Sequence, residues 1–168
     1  MDQFLYACLR TNHGEARRLL AADPGLLAQL DENDRAALIR GAENGNNDAV
    51  ALMLDLGFPL ETRGENGATA LHTAAYSGGA DTVRLLLDRA ADIEARDTAW
   101  ESTPLDWAIV GSGEKPATNP HADWVETVRI LVERGASIEG MTASLDDPKP
   151  PSAEVAALFH TYSSTSRR

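Results

Sequence analysis

The side chains best suited to chemistry in this sequence are four histidines and one cysteine, and their spacing disfavours a metal or catalytic centre. They are His13, His72, His121, His160 and Cys8. A zinc site on a helix usually shows paired ligands such as His-x-x-x-His or Glu-x-x-His, and neither pattern occurs. No spacing of serine, histidine and aspartate favours a catalytic triad either. We therefore predict no metal, no cofactor and, with a single cysteine, no disulfide within the chain.

One segment, Gly111-Ser112-Gly113, is rich in glycine, as phosphate-binding loops are. Such a loop ends in Lys followed by Ser or Thr, and that ending is absent here. The net charge of -11 also disfavours nucleic acid and bare anionic membrane as partners, because like charges repel. The acidic balance permits a partner with a basic patch, although solubility alone also explains it.

The composition and the start of the chain predict a cytoplasmic helical protein. The N-terminus has no basic segment followed by a long apolar run, and no stretch of about 20 apolar residues occurs. Leu and Ala dominate the apolar residues while aromatic residues make up only 5%. This composition favours helices with an aliphatic core.

An internal repeat of 33 or 34 residues is the strongest signal in the sequence. The matched residues are Leu71 with Leu38, Gly78 with Gly45, Val83 with Val50 and, one unit earlier, Leu38 with Leu5 and Leu52 with Leu19. Each unit is typical of two short helices, the first containing small residues and the second an aliphatic cluster. The glycine between them suits a left-handed turn. Neither helix can bury its apolar side alone, so the units are expected to stack.

The segment Thr69-Ala70-Leu71-His72-Thr73-Ala74 resembles the ankyrin-repeat motif Thr-Pro-Leu-His-x-Ala, and Thr103-Pro104-Leu105 repeats its start with Asp106 in the His place. The resemblance covers roughly residues 2–140. It implies an all-α solenoid of stacked helix-turn-helix units joined by β-turn or hairpin fingers. The expected organisation is a single domain over 1–162, with units at 2–32, 33–65, 66–98 and 99–140, a C-terminal cap at 147–162 and a frayed tail at 163–168.

The resemblance also implies roles for individual residues. Thr69, His72, Thr103 and Pro104 are expected to be structural, because in the family the motif Thr and His bond the backbone and tie adjacent units together. Fingers and the concave face of the first helices are the surfaces on which the family binds partners. The residues predicted to contact a partner are Arg63, Glu65, Asn66, Tyr76, Ser77, Arg96, Trp100, Glu101, Ser102 and Val110.

Two features of the fourth unit leave alternatives open. Trp100 lies in a finger, where it either forms an exposed anchor beside Tyr76 or folds back over the following insertion. That insertion, residues 113–121, contains Pro116 and Pro120 and reads as a loop between the two helices of the unit. Loops on rigid scaffolds often carry recognition, but insertions are also thermodynamically cheap.

The leading functional hypothesis is a protein–protein interaction module that is a monomer or a weak homo-oligomer. The alternative is a small enzyme or small-molecule-binding protein with a site near the insertion, around Trp100, Asp106, Trp107 and His121. A closed pocket there, containing a group of perturbed pKa, would favour the alternative. An open groove would favour macromolecular binding.

Overall fold

The computed structural model describes residues 2–115, 119, 121–139 and 150–165, and every regular element in these ranges is helical. The α-helices are α1 Asp2–Leu9, α2 His13–Ala22, α3 Glu32–Glu43, α4 Asn47–Leu56, α5 Ala70–Tyr76, α6 Ala80–Asp88, α7 Pro104–Glu114, α8 Trp124–Glu133 and α9 Ala153–Thr165. Short 3-10 turns occupy Leu26–Gln29 and Glu65–Gly67. The predicted all-α fold is confirmed. None of the helices in this part of the chain has the length and apolar character needed to span a bilayer.

The helices pair along the chain and the pairs stack. The first helices α1, α3, α5 and α7 pack in one row, and the second helices α4, α6 and α8 pack in another. Helix α9 closes the second row by packing on α8. The predicted stack of helix-turn-helix units is therefore confirmed. The connections between units are turns; the one at 97–102 is closed by the Asp97 N–H donating to the Ser102 carbonyl at 3.0 Å.

Glycines produce the sharp reversal between the helices of a pair. Gly45 and Gly78 follow the ends of α3 and α5 with φ of 65° and 66°, a left-handed conformation that other residues adopt only with strain. Asn46 then caps α4 by accepting the N–H of Ala49 at 3.2 Å. The turn is thus encoded locally, and it brings the second helix back along the first.

The first helices of units three and four begin at the resemblance's motif residues. Thr69 and His72 form a capping box at α5, and Thr103 and Asp106 form one at α7. Pro104 occupies the first turn of α7, where its missing N–H costs no hydrogen bond. Asp106 therefore replaces the motif histidine with a carboxylate that accepts both the N–H and the hydroxyl of Thr103, at 2.8 and 2.9 Å.

The core that the stack encloses is mainly aliphatic. Its largest fully buried apolar side chains are Phe4, Leu38, Leu52, Met53, Leu71, Leu86, Leu105, Leu131, Val50, Val83 and Val128. Fully burying one such side chain stabilises the fold by about 1.5–3 kcal/mol. Because these side chains come from both rows of helices, each pair supplies only part of the core and depends on its neighbours.

The first pair is displaced by one residue from the alignment expected on sequence. The expectation that Leu5 occupies the position of Leu38 is wrong: Phe4 is 1% exposed, whereas Leu5 is only partly buried. Likewise Asn12 caps α2 as Asn46 caps α4, a spacing of 34 rather than 33. The glycine that marks this turn in the second and third pairs is replaced by Thr11, which adopts φ of 55°. Without a glycine to mark the turn, an alignment based on the leucines alone is wrong by one residue.

The insertion in unit four begins as helix rather than as loop. Helix α7 runs through Gly113 and Glu114, about one turn further than α5 does in its own unit. Spacing from the Thr69 and Thr103 motifs places Ser112 where α5 has the turn glycine Gly78. With no glycine there, the helix continues. Residues 116–118 and 120 of the insertion lie outside the described residues.

A hydrogen bond joins the start of helix α9 to the extended end of α7. Ser112 is buried; its hydroxyl donates to the Ile109 carbonyl at 2.7 Å and accepts the Ser152 N–H at 3.0 Å. Val155 of α9 is fully buried in the core. Of the predicted cap and tail, residues 147–149 and 166–168 lie outside the described residues.

Candidate partner-binding groove

An open groove of about 610 Å³ lies where α5, α7 and the turn 97–102 meet. We call this turn the finger and the cavity the Trp100 groove. Its rim is solvent-exposed, since Trp100 is 63% and Val110 40% exposed. The lining residues are Asn66, Tyr76, Trp100, Ser102, Asp106, Trp107, Val110 and Glu114.

Three aromatic rings form one wall of the Trp100 groove. The Trp107 ring lies in the middle, with its centroid 5.7 Å from that of Tyr76 and 6.1 Å from that of Trp100. The ring planes meet at 74° and 63°, edge to face, as the charge distribution of aromatic rings favours. Trp100 and Tyr76, expected to be neighbours, are therefore joined through Trp107. Trp100 is 63% exposed, and its ring packs on Trp107, which lies in α7 ahead of the insertion.

Asp97 holds the finger and the aromatic wall in place. One carboxylate oxygen accepts the N–H groups of Ala99 and Trp100 at 2.8 and 2.6 Å. The other accepts the Ser102 N–H at 3.2 Å and the Trp107 indole N–H at 2.8 Å. Burial raises the pKa of Asp97, but these hydrogen bonds, led by that from Trp100, outweigh it and hold the pKa below its ordinary 3.8. The side chain is 3% exposed and ionised, which fixes the turn and one ring together.

The role of Asp97 was not recognised in the sequence. A signal was available, because aspartate at the start of a short turn commonly accepts backbone N–H groups two or three residues later. The preceding unit gives no guidance, since Gly64 stands 33 residues earlier at the start of the equivalent turn. The indole contact from Trp107 could not be read from spacing.

His72 connects α5 to the finger. Its Nε2 lies 3.1 Å from the Ser102 carbonyl oxygen, which can only accept, so Nε2 carries the proton. Its Nδ1 accepts from the Thr69 hydroxyl at 2.9 Å and the Thr69 N–H at 3.2 Å. The neutral ring is thereby satisfied on both nitrogens. It also packs edge-to-face on Trp107 with centroids 5.4 Å apart, beneath the groove.

His72 is expected to make the free energy of unfolding decrease as the pH is lowered from 6.5. Burial lowers the pKa of His72 below its ordinary 6.5, and the Ser102 hydrogen bond and the Asp97 charge offset this only in part. Below pH 6.5 the unfolded chain therefore binds a proton at His72 that the folded chain does not bind. The free energy of unfolding decreases as the pH falls from 6.5 towards the lower pKa of the folded state. The slope from this one group cannot exceed about 1.4 kcal/mol per pH unit.

Urea unfolding of the wild type and His72→Gln at intervals from pH 7.5 to 5 measures this contribution. Glutamine retains a donor and an acceptor but does not titrate. The variant is expected to start less stable and to lose less stability on acidification. Parallel curves for the two proteins would show that His72 is not held neutral.

Tyr76 is fixed at the opposite end of the aromatic wall. Its hydroxyl donates to Glu114 Oε2 at 2.6 Å, and Lys115 Nζ lies 4.5 Å from the ring centroid. Burial and the Glu114 contact raise the pKa of Tyr76 to about 12, so the phenol stays protonated at neutral pH. Glu114 can reach Tyr76 because α7 extends beyond the length of α5.

The structure brings five of the ten predicted partner-contacting residues into the groove lining and leaves the other five outside it. The five in the lining are Asn66, Tyr76, Trp100, Ser102 and Val110. Glu65 and Glu101 are exposed outside the lining. Ser77 is only 5% exposed, so its side chain is not available to a partner.

The predicted residues Arg63 and Arg96 hold the turns. The Arg63 guanidinium donates to the carbonyls of Gly67 and Arg96 at 2.8 and 2.7 Å. Arg96 in turn donates to the Glu101 carbonyl at 2.6 Å. Truncating either side chain would disturb the turns as well as the surface. Neither residue is therefore a clean probe of binding.

Of the residues named in the enzyme alternative, Trp100, Asp106 and Trp107 line the groove, which is open rather than closed. His121, expected near it in the enzyme alternative, is not among its lining residues. No cluster of potential metal ligands occurs in the part of the chain that the structure describes. Cys8 is fully buried, and burial raises the pKa of its thiol to about 11, so the nucleophilic thiolate is scarce.

The sequence matches one family model, described as ankyrin repeats in three copies. The matches cover residues 4–97 and 60–142, which together extend from α1 to beyond α8 and make up well over half of the chain. No curated protein matches the chain.

Proposed function

Because this chain belongs to the ankyrin-repeat family, we propose that it is a protein-binding module whose binding site is the Trp100 groove and the adjoining finger. The family's repeats generally serve protein–protein interaction. The observation that carries the proposal is an exposed, rigidly mounted tryptophan at the rim of an open groove. A cytoplasmic location and a monomeric or weakly associating state remain predictions from the sequence.

The rigidity of the site favours affinity. Trp100 is held through its own backbone N–H by Asp97 and through its ring by Trp107. Little conformational entropy is then lost when a partner covers the indole. Tryptophan and tyrosine are the residues that most often dominate binding energy, and here Trp100, Trp107 and Tyr76 share one wall. The exposed Val110 adds apolar surface beside them.

A Trp100→Ala variant is expected to lose capture of a partner from a lysate of the source cell. Truncating such an anchor typically costs about 2 kcal/mol or more, equivalent to about a thirtyfold loss of affinity. The fold should remain, since the side chain is 63% exposed. Affinity capture followed by mass spectrometry, with the melting temperature of each variant as a check, provides the measurement.

Tyr6→Ala is the matched control for that experiment. Tyr6 is an exposed aromatic residue of similar accessibility, 66%, on α1 at the far end of the row of first helices. A partner seated on the groove should be retained by this variant. Equal capture by wild type and both variants, or equal loss in both, would contradict assignment of binding to the groove.

A further inference from the structure

The charged side chains in the lining of the Trp100 groove are acidic, although Lys115 lies beside them over the ring of Tyr76. Among the described residues, its lining contains the two carboxylates of Asp106 and Glu114 and no basic side chain. The chain as a whole carries a net charge of -11. The remaining lining is aromatic, apolar or neutral. A groove with this composition attracts a cation that also offers a flat or apolar surface.

The aromatic wall is suited to a cation. An aromatic face attracts positive charge through its quadrupole, most strongly for tryptophan. The Trp107 N–H donates to the ionised Asp97, and this contact shifts electron density towards the ring. The chain itself already places Lys115 Nζ 4.5 Å from the centroid of Tyr76. Of the three aromatic residues that line the groove, Trp100 is the most exposed, at 63%.

We propose that the groove receives an arginine side chain of the protein partner, an inference that rests on the proposed function. A guanidinium stacks on an indole face and can donate at the same time to neighbouring carboxylates. Lysine offers a more strongly hydrated point charge and no plane to stack. The groove supplies both requirements of arginine, with Trp100 and Trp107 on one side and Asp106 and Glu114 within the same lining.

Blocked tripeptides test this proposal without knowledge of the partner. Acetyl-Ala-Arg-Ala-amide and its lysine and citrulline counterparts are titrated into the full chain, labelled with ¹⁵N. The indole N–H resonances of Trp100 and Trp107 report binding, and the backbone N–H resonance of Tyr6, on α1 at the far end of the row of first helices, serves as internal reference. The arginine peptide is expected to shift the first two saturably. Citrulline, which keeps the shape but loses the charge, is expected to bind about five- to tenfold more weakly, and lysine about threefold.

Two variants locate the interaction. Trp100→Leu keeps an apolar side chain but removes the aromatic face, and Glu114→Gln removes charge while leaving an oxygen for the Tyr76 hydroxyl. Each is expected to weaken the arginine peptide about threefold or more and to reduce its advantage over citrulline. Tyr6→Leu, the matched exposed aromatic, should bind as wild type does.

Equal binding of the arginine and citrulline peptides, or of arginine and lysine, would overturn the proposal. So would the absence of any shift at Trp100 and Trp107 in the presence of the arginine peptide. If capture of a protein from lysate still required Trp100 in that case, the proposed function would stand while the arginine preference failed. Intact arginine binding with Trp100-independent capture would contradict the proposed function and the assignment of the arginine to the captured partner, while the groove's preference for a guanidinium would stand.

Discussion

A Gly111→Ala variant is expected to lose about 3 kcal/mol of its free energy of unfolding. Gly111 lies inside α7 where that helix crosses the end of α5, and a Cβ there would lie less than 3.0 Å from the carbonyl oxygen of Tyr76. The carbonyl is backbone and also accepts the Trp124 indole N–H at 3.2 Å, so it has little freedom to move. The two helices must separate, which loosens the Trp100 groove as well. Equilibrium urea unfolding at neutral pH measures the loss.

Gly14→Ala is the control for this substitution. Gly14 lies in the first turn of α2, and the nearest atom to a Cβ there is the Asn12 side-chain oxygen at 3.9 Å. Alanine is the better helix former, so stability should be unchanged or slightly higher. The same gain from helix propensity is available at Gly111, where it opposes the expected loss. A Gly111→Ala protein as stable as Gly14→Ala would mean that α5 and α7 do not approach as described.

The repeat and its stacking could be predicted from the sequence because each depends on local patterns that recur. Gly45 and Gly78 mark the turns by themselves, and the Thr69 and Thr103 motifs mark where helices begin. Where a marker is absent, prediction failed. Thr11 in place of a glycine shifted the alignment of the first pair by one residue. Ser112 in place of a glycine allowed α7 to continue into what was predicted to be a loop.

The groove was only half predictable for a different reason. The exposure of Trp100 follows from its place in a finger. The place of Tyr76 on the binding surface follows from its position on a first helix. Their link through Trp107 depends on how far α7 is turned relative to α5. The need for glycine at position 111 could not be predicted for the same reason. A side chain there is excluded by the Tyr76 carbonyl, 35 positions earlier, and the sequence does not show that the two are in contact.

An Asp97→Asn variant is expected to lose about 2–3 kcal/mol of its free energy of unfolding and to loosen the finger. Each of the two carboxylate oxygens accepts two N–H groups in a site that is 3% exposed. An asparagine amide can accept at only one of those positions, and its NH₂ group faces N–H donors at the other. One pair of donors is then left buried and unsatisfied, at about 1–3 kcal/mol. Because Trp100 and Trp107 are both held by this carboxylate, their indole resonances should broaden or shift in the variant.

The pH dependence of this loss separates the carboxylate's role from a general effect of substitution. Hydrogen bonds hold the pKa of Asp97 below 3.8, so the stability it contributes is present above that pH and is lost as pH falls through the lower folded value. A protonated Asp97 presents a donor to the same N–H groups, as asparagine does. The free energies of unfolding of wild type and Asp97→Asn should therefore become equal in acid. Asp92→Asn, at an exposed position where the side chain accepts only the Glu94 N–H, at 3.0 Å, should differ from wild type by less than about 0.5 kcal/mol at any pH. A constant difference for Asp97→Asn across the acid range would show that its charge does not hold the finger.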